Sequence, residues 1–234
     1  MNKVIHGDCL EIMPTLSDKS IDMILTDIPY GNVSQCGAER AKYSGQLRKI
    51  NKGAADIETF ELRPFIEQLD RLCCGSIYIF CGIPQINEIY DYFKNERSVD
   101  YMSRVCVWEK TNPTPANGQH MWLSGTEFAI FAKRRKAVYN ENCKSNVWKN
   151  PSGKSKVHPT EKPIELFKRL VLASSNEGDV VLDPCAGSGT TAIACLNTNR
   201  NYILIEKEKE YIDKTNKRIA EHEQQQTLFA EKNL

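Results

Sequence analysis

Apolar residues along the chain follow two rhythms, short β-rich runs and longer stretches in which they recur every three or four positions. Val4-Ile5, Met23-Ile24-Leu25, Ile77-Tyr78-Ile79-Phe80, Val105-Cys106-Val107-Trp108, Phe128-Ala129-Ile130-Phe131, Val180-Val181-Leu182 and Tyr202-Ile203-Leu204-Ile205 make seven candidate strands. Helical spacing separates them at Leu62, Phe65, Ile66, Leu69 and Leu72, and again at Ile86, Ile89, Tyr90 and Phe93. Further helices are predicted over 164–172, 190–197 and 210–223, the last with a frayed tail at Gln224-Gln225-Gln226. Strands interleaved with helices predict an α/β fold: one doubly wound, seven-stranded, mostly parallel sheet in a single domain over 1–234. Two stretches fit neither rhythm: 32–58 is polar and contains glycine, and 109–126 is rich in Pro, Gly and Asn. Long irregular segments in a compact domain are usually functional loops or disorder.

Composition narrows the class. Hydrophobic residues make up 41% of the 234 positions, enough for a sizeable core. No apolar run approaches the roughly 18–20 residues of a membrane span, and Met1 to Leu10 lacks the plan of a signal peptide, so the expected compartment is the cytoplasm. Nine cysteines without a Cys-x-x-Cys pair suggest reduced thiols and imply no metal. Net charge is only +1, but nine Lys or Arg against two Glu lie between Lys133 and Lys162, leaving the rest net acidic. A concentrated basic strip is the footprint of a polyanion partner, and an ordinary solvated loop is the competing reading.

Two constellations carry chemistry. Val180-Val181-Leu182 runs into Asp183-Pro184-Cys185-Ala186-Gly187-Ser188-Gly189-Thr190-Thr191, a strand, a tight turn and a helix start. Glycines let the backbone approach a ligand at the carboxyl edge of a sheet, and first-turn amides suit an anionic or polar group. Glu206 ends the next strand, where an acid can accept both hydroxyls of a ribose. Gly187-x-Gly189-x-x-Ala192 also satisfies a loose dinucleotide fingerprint, but little chain follows for a second nucleotide-binding half. The other alternative is a turn whose glycines serve packing alone. In the second constellation, Asp22 to Leu25 delivers Asp27-Ile28-Pro29-Tyr30-Gly31 to the exposed end of a strand. Asp27 and the Ile28 carbonyl can accept hydrogen bonds at that edge, Pro29 stiffens the turn, and Tyr30 offers an aromatic face.

Together these segments resemble the β-type amino-methyltransferases of nucleic acid bases, with the Asp-Pro-Pro-Tyr element present as Asp27-Ile28-Pro29-Tyr30. The resemblance implies a Rossmann-like fold with circularly permuted motif order. The strand bearing Asp183 then lies between those ending in Glu206 and Asp27. It implies S-adenosylmethionine as cofactor, double-stranded DNA as partner and N6 of adenine as the methyl acceptor. Cytosine N4 and RNA remain alternatives within the class, and a nucleic-acid-binding protein with a degenerate site outside it. Ile28 is the one departure from the pattern, at a position whose proposed contact is made by backbone.

The resemblance also assigns lesser roles. Asp8 is a candidate for the cofactor's adenine, with a helix N-cap as its rival. His158-Pro159-Thr160-Glu161-Lys162-Pro163 matches the segment lining the methionine end, so Thr160 and Lys162 are cofactor-side candidates; His158 can be read as a general base, though a lone His beside Pro is more often structural. Glu109 to Pro113 and Thr126 to Phe128 match segments on the base side. Target recognition falls to a small insertion at 133–157, with Lys133, Arg134, Arg135, Lys136, Lys144 and Trp148 as DNA contacts. Arg40, Lys42, Arg48 and Lys49 place the 32–58 loop over DNA and the flipped base. A short recognition site is expected. Oligomeric state, monomer or homodimer, stays open, as does the choice among restriction–modification, phage self-protection and regulation.

Overall fold

The computed structural model describes residues 2–30, 60–115, 118–153 and 162–231. Arg40, Lys42, Arg48, Lys49, His158 and Thr160 lie outside them.

Eight strands form one sheet in the order β1-β8-β7-β2-β3-β5-β4-β6. They are β1 (Lys3–His6), β2 (Ile21–Asp27), β3 (Cys73–Cys81), β4 (Tyr101–Lys110), β5 (Thr126–Arg134), β6 (Val147–Asn150), β7 (Val180–Asp183) and β8 (Asn201–Glu206). Every pairing is parallel except the two made by β5, so seven strands share one direction. β7 lies between β8 and β2, as the resemblance implies. The count corrects the expected seven. β6 is the added strand, four residues paired in parallel with Val107 to Lys110, and its Val147-Trp148 pair stands within a polar, basic stretch that reads as loop.

Alternation along the strands sorts side chains into two cores. Ile24, Ile77, Ile79, Ile130, Leu182, Ile203 and Ile205 face one side; they pack against α2 (Leu62–Leu72) and α3 (Ile86–Asp91) through Phe65, Ile66, Leu69, Leu72 and Ile89. The short α1 (Cys9–Ile12) joins this layer, continuing as a 3-10 turn through Met13. Met23, Leu25, Tyr78, Phe80, Val181 and Leu204 face the other side, covered by α4 (Ile164–Ser174), α5 (Thr190–Leu196) and α6 (Lys209–Glu231). Each such fully buried aliphatic or aromatic side chain contributes about 1.5–3 kcal/mol. α6 continues through Gln224 to Gln226, which are helical rather than a frayed tail. The eight described cysteines are all free, and burial pushes the thiols of Cys73, Cys81 and Cys106 up to about 12.

The start of the basic strip is part of this scaffold. β5 runs opposite to its neighbours, pairing Lys133 with Ser76 and Arg134 with Tyr101, so both lie at the amino edge of the sheet. Asp70, nearly buried at the end of α2, accepts from Tyr101 at 2.9 Å, Tyr92 at 3.1 Å and Arg134 at 2.5 Å, and pairs with Arg97 at 2.8 Å. Burial works against its charge; the Tyr101 hydroxyl and the guanidiniums of Arg134 and Arg97 outweigh it, holding the Asp70 pKa below its ordinary value. A buried acid needs such partners, and removing one typically costs 3–5 kcal/mol. Lys133 is buried and donates to the carbonyls of Arg134 and Arg135. The Arg135 guanidinium holds the carbonyls of Ser98 and Val99. Trp148 sits on β6, buried against Tyr78 and Phe80. The segment expected as an insertion at 133–157 thus begins as the end of β5 and contains the edge strand β6; Arg134 holds an acid from α2, and Lys133 and Arg135 hold backbone carbonyls. Lys144 is exposed on the β5–β6 connection.

Candidate active site

From β7 the chain passes through α5 to β8 on one side; from β2 it passes toward β3 on the other. Such a switch point leaves a crevice at the carboxyl ends of the adjacent strands. Both sequence constellations end there, Asp27 to Tyr30 on β2 and Asp183 to Gly189 on β7.

Sheet pairing positions the first segment. The Ile28 N–H donates to the Phe80 carbonyl at 3.1 Å, one residue beyond β2. Its side chain is buried in the core on the α2 face, which gives an apolar residue good reason to stand there. Gln85 fastens the turn, donating to the Pro29 carbonyl at 2.8 Å and accepting from the Gly82 N–H at 2.9 Å. A Cβ on Gly82 would stand 2.9 Å from the Tyr30 carbonyl oxygen, so glycine is required for the two turns to nest.

Lys162 enters this crevice from just before α4, its side chain 5% exposed. The ammonium lies 2.6 Å from Asp27 Oδ2, 3.0 Å from Glu127 Oε2 and 3.1 Å from the Tyr30 hydroxyl. Tyr30 in turn donates to Glu127 at 3.1 Å, and Lys110 approaches Glu127 Oε1 at 2.7 Å. Two carboxylates and two ammoniums thus form one neutral cluster. Burial raises the Asp27 pKa, and the pull of Lys162 only partly offsets it. Burial also acts on Glu127, but Lys162 and Lys110 together outweigh it and leave that pKa lowered. For Lys162 burial opposes the charge, yet the two acids raise its pKa. Asp27 Oδ1 is screened from solvent and has no hydrogen-bond partner among the described residues. An unpaired buried acceptor costs about 1–3 kcal/mol.

The second segment is a built turn. Gly187 and Gly189 have φ of +50° and +75°, the left-handed region that favours glycine. Asp183 points inward, accepting from Thr191 Oγ1 at 2.5 Å and the Cys185 N–H at 3.2 Å, and burial raises its pKa to about 7. Ala186, Ser188, Thr190 and Thr191 are buried, and Cys185 is half-buried. Pro184 follows β7 directly. Glu206 leans over the turn from the end of β8; Oε2 accepts from the Gly187 N–H at 2.7 Å and Oε1 from the Glu208 N–H at 2.8 Å. Arg218 of α6 donates to the Ser188 carbonyl at 2.9 Å.

Two candidates have further partners in the fold. Asp8 is the N-cap of α1, accepting from the Leu10 N–H at 2.9 Å, and its other oxygen meets Lys207 at 2.9 Å. The Lys162 ammonium meets the Asp27 segment. Gln85, Lys207 and Arg218 carried no motif and were not read from sequence; each acts on a partner distant along the chain.

Comparison with known proteins decides the family, because a DNA methylase family of N6/N4 methyltransferases matches residues 21–217. The chain belongs to that family. It is 30% identical to the type II methyltransferase M.HinfI of Haemophilus influenzae, over 94% of this chain and 69% of that protein. Identity to M2.DpnII of Streptococcus pneumoniae is also 30%, over 94% of this chain and 90% of the relative. Among solved structures, the M1.HpyAVI–SAM complex aligns with a TM-score of 0.68 and 29% identity, covering 94% of this chain and 99% of that one. PvuII DNA methyltransferase, cytosine-N4-specific, aligns at 0.66 with 14% identity over 92% of this chain and 85% of its own, a likeness of fold. Among the described residues this methylase has no cluster of His, Cys, Asp or Glu able to hold a metal, and no helix long and apolar enough to cross a membrane.

Proposed function

We propose that this methylase transfers the methyl group of S-adenosylmethionine to N6 of adenine in double-stranded DNA, acting on a base extruded from the helix. The observation that carries the reading is Asp27 Oδ1, a covered acceptor at the switch-point crevice with no donor among the described residues. An exocyclic amine supplies the missing N–H.

The β7 turn fits the cofactor on structural grounds. An added Cβ at Gly187 would meet nothing within 4 Å, so space is open beside the turn. Each oxygen of Glu206 accepts one backbone N–H and keeps a lone pair for a ribose hydroxyl. When bound there, S-adenosylmethionine supplies a methyl group on a positively charged sulfur. Asp27 Oδ1 and the Ile28 carbonyl accept the two amine hydrogens, pyramidalising the nitrogen and aiming its lone pair. As the new N–C bond forms and the S–C bond breaks, the nitrogen sheds one proton, for which Asp27 Oδ1 is the adjacent base. Tyr30, anchored through its hydroxyl to Glu127 and Lys162, holds its ring for stacking, a contact worth about 1–3 kcal/mol per base. Positioning supplies most of the acceleration, with no covalent enzyme intermediate.

The DNA face is the carboxyl edge. The connection from β4 to β5 rises there and carries Met121, Trp122 and Leu123, all exposed, with Trp122 at 97%. Its base is pinned by Lys110 N–H to the Gly125 carbonyl at 2.7 Å and by Asn112 to Ser152. Within this reading the tip is the apolar contact to DNA, replacing the first basic residues of 133–157. An acid at position 27 favours adenine over cytosine, since the cytosine-N4 enzymes of the family typically carry Ser there.

The test is incubation with methyl-labelled S-adenosylmethionine and unmethylated DNA, digestion, and identification of the labelled nucleoside. Label in N6-methyladenine is expected. Label in N4-methylcytosine would overturn the choice of base while leaving the fold and cofactor, and no label on any DNA would overturn the activity.

A further inference from the structure

We propose that Lys162 is a positioning residue for methyl transfer: by binding Oδ2 of Asp27 it turns the carboxylate so that Oδ1 alone faces the target amine. The inference rests on the reading that Asp27 receives that amine.

The geometry is that of a clamp anchored at its far end. Lys162 has three N–H donors, and among the described residues they meet Asp27 Oδ2, Glu127 Oε2 and the Tyr30 hydroxyl. None is left for a ligand, so the residue acts through the groups that touch the base. Without it, both oxygens of Asp27 would compete for the amine and the carboxylate would rotate about its last torsion, a broad and soft one. With it, one oxygen of Asp27 is occupied and the other has no donor among the described residues. The same ammonium lies 5.2 Å from the centre of the Tyr30 ring and 5.5 Å from that of Phe80, so one cation orients both the acceptor and the stacking face.

The clamp also sets when Asp27 can take up the proton shed by the amine, which requires the ionised form. The groups bearing on its charge are Lys162 from the segment before α4, Glu127 from β5, Tyr30 from its own turn, Asp183 from β7 and Cys81 from β3. Lys110, on β4, acts through Glu127. Lys162 favours ionisation of Asp27 and Glu127 disfavours it. Removing one or the other must therefore move the acid limb of the rate profile in opposite directions.

The experiment compares Lys162→Met, Lys162→Arg and Glu127→Gln with the parent chain on unmethylated DNA. Far-UV circular dichroism and S-adenosylmethionine affinity by calorimetry are read alongside. Lys162→Met is expected to lower kcat about 100-fold, the scale of an ångström-sized misplacement, while the cofactor's Kd stays within about twofold. The acid limb of its kcat profile should move up by about one pH unit, the lower end of what loss of an adjacent opposite charge does. Lys162→Arg should recover part of kcat and return the limb toward the parent. Glu127→Gln should move the limb down. A kcat loss with the limb unmoved in both Lys162→Met and Glu127→Gln overturns the proposal, as does unchanged kcat in Lys162→Met. If Lys162→Met does not fold, the direction of the Glu127→Gln shift decides. Asp27→Ala separates the two readings: full activity there removes the role of Asp27 itself, whereas activity lost there and kept in Lys162→Met removes the clamp alone.

Discussion

Asp183 shows how a single carboxyl can be motif and scaffold at once. It opens the glycine turn, yet both oxygens are turned into the protein, toward Thr191 and the Cys185 N–H. Burial raises its pKa from 3.8 to about 7. A raised carboxyl binds its proton more tightly in the fold than in the unfolded chain. Its contribution is therefore complete below about pH 4 and lost as pH rises through about 7. At about 1.4 kcal/mol per unit the loss is at most about 4 kcal/mol. Asp27 shifts in the same direction, so the comparison must isolate one residue. Asp183→Asn should be less pH-dependent than the parent, its stability relative to the parent rising between pH 4 and pH 8. Urea midpoints at both pH values test this, and parallel slopes in the two proteins would refute it. Asp183 was legible as part of the turn, but its inward orientation was not, because a side chain's partner is set by packing.

At the scale of elements, the two glycines of the turn do different work. Gly189, at φ +75°, would place a Cβ 2.6 Å from Thr215 Cγ2 of α6, so it sets how closely the turn packs on that helix. Gly187, at φ +50°, would place a Cβ in open space. Left-handed backbone costs an L-residue about 1–2 kcal/mol, and overpacking adds about 1–3. Gly189→Ala should therefore lose roughly 2 kcal/mol or more by urea unfolding at unchanged m-value. Gly187→Ala should lose only about 1 kcal/mol but weaken S-adenosylmethionine binding out of proportion to its stability. Equal stability losses, or normal cofactor affinity in Gly187→Ala, would contradict this division. The strands that build this edge were readable because alternation serves two cores, as Ile77 and Ile79 oppose Tyr78 and Phe80. β6 was not, since its Val147-Trp148 pair stands within a polar, basic stretch. Lys162 was visible in a motif, but its meeting with Asp27, 135 positions earlier, is a tertiary fact.

Over the whole molecule, the sheet separates two acidic centres. Asp70 gathers Arg134, Arg97, Tyr92 and Tyr101 at the amino edge, and Asp27 gathers Lys162, Tyr30 and Glu127 at the carboxyl edge. The expectation of DNA contacts at Lys133 to Lys136 rests on a run of like charges, which does not reveal the acid about sixty positions away that Arg134 meets. β5, nine residues from Thr126 to Arg134, spans the interval between the edges. At about 3.3 Å per residue that is roughly 27 Å, against a screening length of about 8–10 Å at ordinary salt. Arg135 and Lys136, both exposed just beyond β5, are thus too far to steer DNA bound at the catalytic edge. Trp122, four positions before β5, is not. The paired prediction follows from distance alone. Arg135→Gln with Lys136→Gln should leave DNA affinity and its salt slope unchanged. Trp122→Ala should raise KM for DNA several-fold with cofactor affinity intact. Each phosphate contact adds nearly one unit to the salt slope, so filter binding between 50 and 200 mM salt resolves even one. A slope that falls in the double variant would mean that DNA reaches the amino edge, and that the sheet does not divide scaffold from substrate as its length implies.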